Sequence, residues 1–184
     1  RFESWLGRIV LRFKFFIFDL AKKRERMKDL RTLILAAGKG TRMKSNLAKV
    51  LHPLWGRPLI QYVLEVSQAV GSLKICVVAG HQPDAVRKYL GRSTAAVIQK
   101  RLLGTADAVR SAASFLKGFR GDVLILCGDT PLLTKETVRR LVKKHQTSKA
   151  GCTFLTASVQ EPYGYGRIIR DAAGEPTGVL TERA

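Results

Sequence analysis

The sequence predicts an α/β fold: a Rossmann-like, mainly parallel sheet with helices on both faces. Two observations carry this. Short, continuous apolar runs rich in β-branched residues recur at 31–37, 73–80, 95–99 and 122–128. Stretches with helical periodicity separate them, at 58–70, 84–90, 105–116 and 135–145. Continuous apolar strands are buried on both faces, and their alternation with amphipathic helices is the pattern of parallel sheets. Ligands of such folds bind at the carboxyl ends of the strands, so the residues just after each run are the place to look for chemistry.

Composition agrees with a packed domain. The 184 residues are 46% hydrophobic, enough for a core and too much for a disordered chain. No window approaches the eighteen or so uncharged apolar residues of a membrane-spanning helix. Cys76, Cys127 and Cys152 are far apart, odd in number and without a CxxC pair, which reads as reduced thiols of a cytoplasmic protein rather than a disulfide or zinc framework. His52, His81 and His145 show no metal spacing and are read as structural. The formal net charge of +19 will attract polyanions generally. A nucleic-acid motif, or basic residues interleaved with aromatics, is absent, so specific nucleic-acid binding is not expected.

The amino-terminal segment stands apart, and domain boundaries are placed at 1–26 and 27–184. Leu6, Ile9, Val10, Phe13, Phe16, Ile17 and Leu20 fall on one helical stripe, with Arg8, Arg12 and Asp19 off it. This predicts a basic amphipathic helix, followed by the charged run Lys22-Lys23-Arg24-Glu25-Arg26. Such a helix suits a membrane surface or a partner protein. Equally, Met27 could be the start of the domain, with the preceding residues lying outside the fold.

The first strand end reads LILAAGKGTRMKSNLAKVLHPLWGRPLI, residues 33–60. Two alanines and Gly38 let a ligand approach the backbone without a Cβ in the way, while Gly38 and Gly40 allow successive N–H groups to form an anion-binding concavity. Arg42, Lys44 and Lys49 add positive charge. No G-x-x-x-x-G-K-[ST] is present, and the loop lacks the third glycine of the dinucleotide fingerprint. The second distinctive end is Gln99 followed by LLGTADAV, where Gly104 and Thr105 open a helix. The third is LILCGDTPLL, residues 124–133, which places the carboxylate of Asp129 at the ligand edge. Asp129 there is either a ligand-facing group or a helix N-cap or Asx-turn ahead of Thr130-Pro131.

These segments, together with YGYGRIIRD at 163–171, resemble in order and spacing the motifs of the sugar-phosphate nucleotidyltransferases. The likeness is greatest to the uridylyltransferase domain of the bacterial bifunctional enzyme that makes UDP-N-acetylglucosamine, and it covers residues 28–184. It implies a fold of the nucleotide-diphospho-sugar transferase type, incomplete at its carboxyl end. It also implies transfer of a uridylyl group from UTP to N-acetylglucosamine 1-phosphate, with Mg²⁺, in the cytoplasm, for cell-envelope precursors. Arg42 and Lys49 would do the catalytic work of aligning and neutralising the two anionic substrates. Leu35, Ala36, Ala37, Gly38, Lys49, Gln99, Gly104 and Thr105 would hold the nucleotide. Gly128 and Gly166 would meet the sugar, and Asp129 would bind the metal, since Mg²⁺ prefers one or two carboxylates completed by phosphates and water.

The chain departs from that pattern at three places. Ala48 stands where the family has proline before the lysine, Leu102 where it has a second glutamine, and Thr181, with Glu182 next to it, where it has a glutamate. The family's domain also continues past the position of Ala184, so this chain alone is expected to bind nucleotide better than it turns it over. The rival readings are another nucleotidyltransferase of this fold, such as one acting like a molybdenum-cofactor guanylyltransferase, and a non-catalytic nucleotide-binding module. Oligomeric state is not legible.

Overall fold

In a computed structural model, the described residues are 15–19, 29–148, 150–160, 166–174 and 176–180. The main sheet has six strands: β1 (Phe15–Asp19), β2 (Leu30–Ala36), β5 (Lys74–Ala79), β6 (Ala95–Ile98), β7 (Asp122–Cys127) and β8 (Cys152–Phe154). Their order across the sheet is β6-β5-β2-β7-β1-β8. The four expected runs become β2, β5, β6 and β7, all mutually parallel. Two two-stranded ribbons complete the strands: β3 (Pro53–Leu54) with β4 (Arg57–Pro58), and β9 (Arg167–Arg170) with β10 (Pro176–Leu180).

The helices are α1 (Leu59–Ala69), α2 (Pro83–Leu90), α3 (Thr105–Ser111), α4 (Ala113–Leu116) and α5 (Lys135–Ser148). The single helix expected over 105–116 is split at Ala112, whose N–H turns back to the Val109 carbonyl at 3.0 Å, a tighter bond than the helix repeat. Residues alternate along each strand, so the sheet feeds two cores. On one face Ile34, Val77, Leu124 and Leu126 meet Ile60 and Val63 of α1, Val86 of α2 and Val138 and Leu141 of α5. On the other face Leu33, Val78 and Ile125 meet Val109 of α3, Leu116 of α4 and Ala112 between them. Burial on both faces is why these strands read as unbroken apolar runs.

The amphipathic helix expected at the amino terminus is not formed over 15–19. That stretch, FFIFD, is β1, antiparallel to both β7 and β8, with Ile17 opposite Leu124 on one side and Thr153 on the other. Aromatic and β-branched residues favour strands, and a slot with unpaired backbone on both sides outweighs the helical stripe. The remainder of residues 1–26, with its membrane or partner role, and Met27 lie outside the described residues.

Chain order explains where the site falls. From β2 the chain builds outward through β5 to β6, then crosses back to lay β7 on the other side of β2. The β2–β7 boundary is thus the switch point, where the loops leaving adjacent strands diverge and open a crevice at their carboxyl ends.

Candidate functional site

Two loops leave this boundary side by side. The Gly128 N–H donates to the Leu35 carbonyl at 2.9 Å, which ties the end of β7 to the end of β2. Ala36 and Ala37 are buried, and the chain then emerges at Gly38. A Cβ placed on Gly38 would meet nothing within 4 Å, and its φ lies outside the left-handed region, so neither packing nor backbone conformation explains the glycine. Open space over exposed backbone is what the concavity read from the sequence requires.

Gly40 has a different reason. Its φ is +64°, and a Cβ there would fall 2.8 Å from Cβ of Lys49. The loop therefore folds back onto the stem of Lys49, which opens a short 3-10 turn at Lys49–Leu51. The Nζ of Lys49 reaches Asp129 Oδ2 at 2.6 Å, with both side chains partly exposed. Sequence reading placed the lysine and the carboxylate in one site from motifs 80 residues apart, and the fold brings them into contact. The alternative role for Asp129, as cap of the following helix, falls to Thr134, whose Oγ1 accepts from the Thr137 N–H at 3.2 Å.

Arg42 lies exposed on a 3-10 turn at Thr41–Met43, and Lys39 and Lys44 are exposed beside it. No partner for Arg42 is found among the described residues. The loop offers unpaired cationic charge next to an open stretch of backbone. The edge fits a phosphate-bearing ligand.

The third segment forms a wall rather than an open cradle. Gln99 is 3% exposed, and its Nε2 donates to the Gly104 carbonyl at 3.2 Å and to Asp107 Oδ2 at 2.8 Å. Its amide nitrogen is thus engaged inside its own loop. Gly104 is demanded by φ +103° just ahead of α3, and Thr105 begins that helix half-buried. A Cβ on Gly80, after β5, would come within 2.8 Å of Cβ of Ala37 and 2.6 Å of Cδ2 of Leu102. Gly80 thereby brings the 99–107 loop against the first loop. Sequence reading missed Gly80 and Asp107; a glycine ending β5 was visible, but its contacts lie far away along the chain.

Gly128 is buried, and a Cβ on it would approach Val50 Cγ1 to 3.1 Å and Ile34 Cγ2 to 3.3 Å. A side chain there would press on both neighbours, which favours a glycine at this position. Gly166 leads half-buried into β9, while residues 161–165 of the YGYGR motif, and Thr181 and Glu182, lie outside the described residues.

The cysteines are free. Burial pushes the Cys76 thiol up to about 11 and that of Cys152 up to about 12. His145 is fully buried, with Nδ1 2.9 Å from Thr153 Oγ1, in keeping with a structural role. Among the described residues no group of three or more His, Cys, Asp or Glu could hold a metal ion by itself. A divalent cation at Asp129 would need its other ligands from water and substrate, the donor set Mg²⁺ favours. The lysine ammonium already at that carboxylate shows that it accepts a cationic partner. Among the described residues no helix is long and apolar enough to cross a membrane.

The family model of the MobA-like NTP transferase domain matches residues 32–180. The chain belongs to this family. It is 45% identical over 159 residues to the bifunctional protein GlmU of Geobacter metallireducens, covering 85% of this chain and 33% of that protein. It is 47% identical over 159 residues to the bifunctional protein GlmU of Pelobacter propionicus, covering 85% and 35%. The matched region is the amino-terminal part of GlmU, and the chain spans about a third of the length of these curated relatives. Among solved structures, a UDP-glucose pyrophosphorylase complexed with UDP-glucose superimposes with a TM-score of 0.67 at 17% identity, over 84% of this chain and 69% of that one. Rv0371c of Mycobacterium tuberculosis, in complex with manganese, gives 0.53 at 21% identity over 63% and 59%. At these identities the likeness is one of fold, and it agrees with the α/β architecture read from the sequence.

Proposed function

We propose that this domain binds UTP at the β2–β7 switch point and transfers its uridylyl group to N-acetylglucosamine 1-phosphate, releasing pyrophosphate. The observation that carries the reading is the Lys49–Asp129 pair at 2.6 Å beside the open backbone at Gly38. The resemblance of the sequence motifs to the uridylyltransferase family supplies the sugar and the nucleotide. In this reading the sugar phosphate oxygen attacks the α-phosphorus of UTP and pyrophosphate leaves, so no protein nucleophile is needed. Catalysis is then alignment and charge neutralisation.

The residues divide that work. Backbone from Leu35 through Gly38 takes the nucleotide, and the Gln99–Gly104–Thr105 loop walls it on one side. Arg42 and Lys49 meet phosphate oxygens. Asp129 would hold Mg²⁺, which when bound would offset triphosphate charge. On the sugar side Gly128 and Gly166 are the candidates of this chain. The reading places the protein in the cytoplasm, supplying an activated sugar for envelope precursors.

A second reading is favoured by the MobA-like description of the matched family: the same chemistry with a guanine nucleotide. Calorimetric titration of UTP and GTP in Mg²⁺ separates the two. UTP is expected to bind at least about tenfold more tightly, since hydrogen bonds to a base edge discriminate strongly. Equal affinity, or preference for GTP, overturns the uridine assignment.

A further inference from the structure

Gln82 sits at the entrance to α2 with φ +47°, in the left-handed region. For a residue with a side chain this conformation carries a cost that persists only where surrounding structure holds it. Helix α2 does not explain it, because the Gln82 side chain makes no capping bond to its own helix. Both ends of its amide go elsewhere. Oε1 accepts the Ala48 N–H at 3.2 Å, and Nε2 donates to the Asn46 carbonyl. One side chain, 34 residues away in sequence, thus grips the loop on either side of Leu47, directly ahead of Lys49.

The gripped residue leads directly into the lysine. Ala48 is 1% exposed and caps the 3-10 turn that Lys49 opens, its carbonyl accepting the Leu51 N–H at 2.8 Å. Gly40 closes on the Lys49 stem from the other side. Ala48 has φ −53° and ψ 131°, within the range a proline ring would impose. A proline at 48 would fix that φ covalently, and it would also delete the N–H that Gln82 uses.

We propose that Gln82 is a positioning residue for Lys49, doing by hydrogen bonds what a proline at position 48 would do through its ring. The proposal rests on the reading of Lys49 given above. It makes Gln82 and Ala48 one unit: the side chain matters because position 48 is free to turn, and it ceases to matter once that position is locked.

The test uses the full 184-residue chain and four variants: Gln82→Gly, Ala48→Pro, their combination, and Lys49→Ala. Glycine suits the left-handed conformation, so Gln82→Gly removes the amide while leaving the start of α2 relaxed. Losing two hydrogen bonds from the loop should weaken Mg·UTP binding about tenfold and leave uridine binding within about twofold. Exchange of the Leu51 amide, which reports opening of the turn without any ligand, should accelerate about tenfold. In the combined variant both values should return to within about threefold of the parent. Parent-like UTP affinity in Gln82→Gly, alongside a clear loss in Lys49→Ala, overturns the proposal. So does a loss in Gln82→Gly that Ala48→Pro fails to reverse. If Lys49→Ala binds Mg·UTP like the parent, the functional reading of Lys49 falls instead. The Leu51 exchange rate then decides the structural claim alone, and an unchanged rate in Gln82→Gly overturns it.

Discussion

Strand β7 has a carboxylate at each end, and the two are used in opposite ways. At its start Asp122 is fully buried, with Oδ1 3.7 Å from Nε2 of the equally buried His145 and Oδ2 accepting from Gln146 at 3.3 Å. Just past its end Asp129 is partly exposed and holds the ammonium of Lys49 at 2.6 Å. A polar group sealed in a core contributes through the fold, and removing its neighbour leaves a desolvated group without compensation. A pair open to water contributes little to stability, but either member can change partner when a ligand arrives. The amino end of the sheet is therefore built to stay closed and the carboxyl end to exchange.

That contrast can be broken from either side. The largest effect is expected at the closed end: His145→Ala removes a fully buried side chain and should lower unfolding free energy by about 2–5 kcal/mol in chemical denaturation. Its surviving folded fraction should bind Mg·UTP like the parent. A changed affinity at saturating fold would mean the two ends are coupled.

At the open end, Lys49→Ala should weaken triphosphate binding on the order of tenfold to a hundredfold, with uridine affinity and melting temperature nearly unchanged. The same variant should strengthen binding of Mn²⁺ alone, seen by its spin-resonance signal, because the metal no longer competes with the ammonium for Asp129. Arg42→Ala should follow with a smaller loss, on the order of tenfold or less, since its side chain is exposed and mobile charge gives up entropy on binding. Equal losses of uridine and UTP in either variant would indicate a collapsed loop rather than a lost phosphate contact.

The smallest effect concerns the thiols. With burial holding Cys76 and Cys152 up to about 11 and about 12, little thiolate is present at pH 8, and both should resist a disulfide reagent in the folded protein. Rapid modification of either would show that the strand bearing it opens readily.

The parts of this account that were legible in the sequence are those whose signal is local. Leu33 to Ala37 and Val123 to Cys127 announce buried strands because both faces of each are covered, and small residues at Ala36, Ala37 and Gly38 announce a close approach to backbone. The strand at Phe15–Asp19 was not legible, because Phe16, Ile17 and Leu20 satisfy a helical stripe as well as a strand, and the choice is made by a slot between β7 and β8 far along the chain. Gln82 and Asp107 were hidden for a related reason. Each is an ordinary polar residue at a helix start; Gln82 bonds to a loop 34 residues back, and Asp107 accepts from the buried amide of Gln99 within its own loop. The packing of Gly128 was hidden as well, because Val50 and Ile34, which a Cβ there would crowd, lie far back along the chain.

The most direct test compares the two carboxylates of β7 in one experiment. Asp122→Asn and Asp129→Asn are near-isosteric changes, each read for unfolding free energy and for the Mg²⁺ dependence of UTP binding. Asp129→Asn is expected to abolish most of the metal dependence, weakening Mg·UTP on the order of tenfold to a hundredfold while stability moves by about 1 kcal/mol or less. Asp122→Asn is expected to lower stability by about 1–3 kcal/mol and leave the metal dependence intact. If Asp129→Asn binds Mg·UTP as the parent does, or if Asp122→Asn carries the metal effect, the division of β7 into a closed end and an exchanging end is wrong.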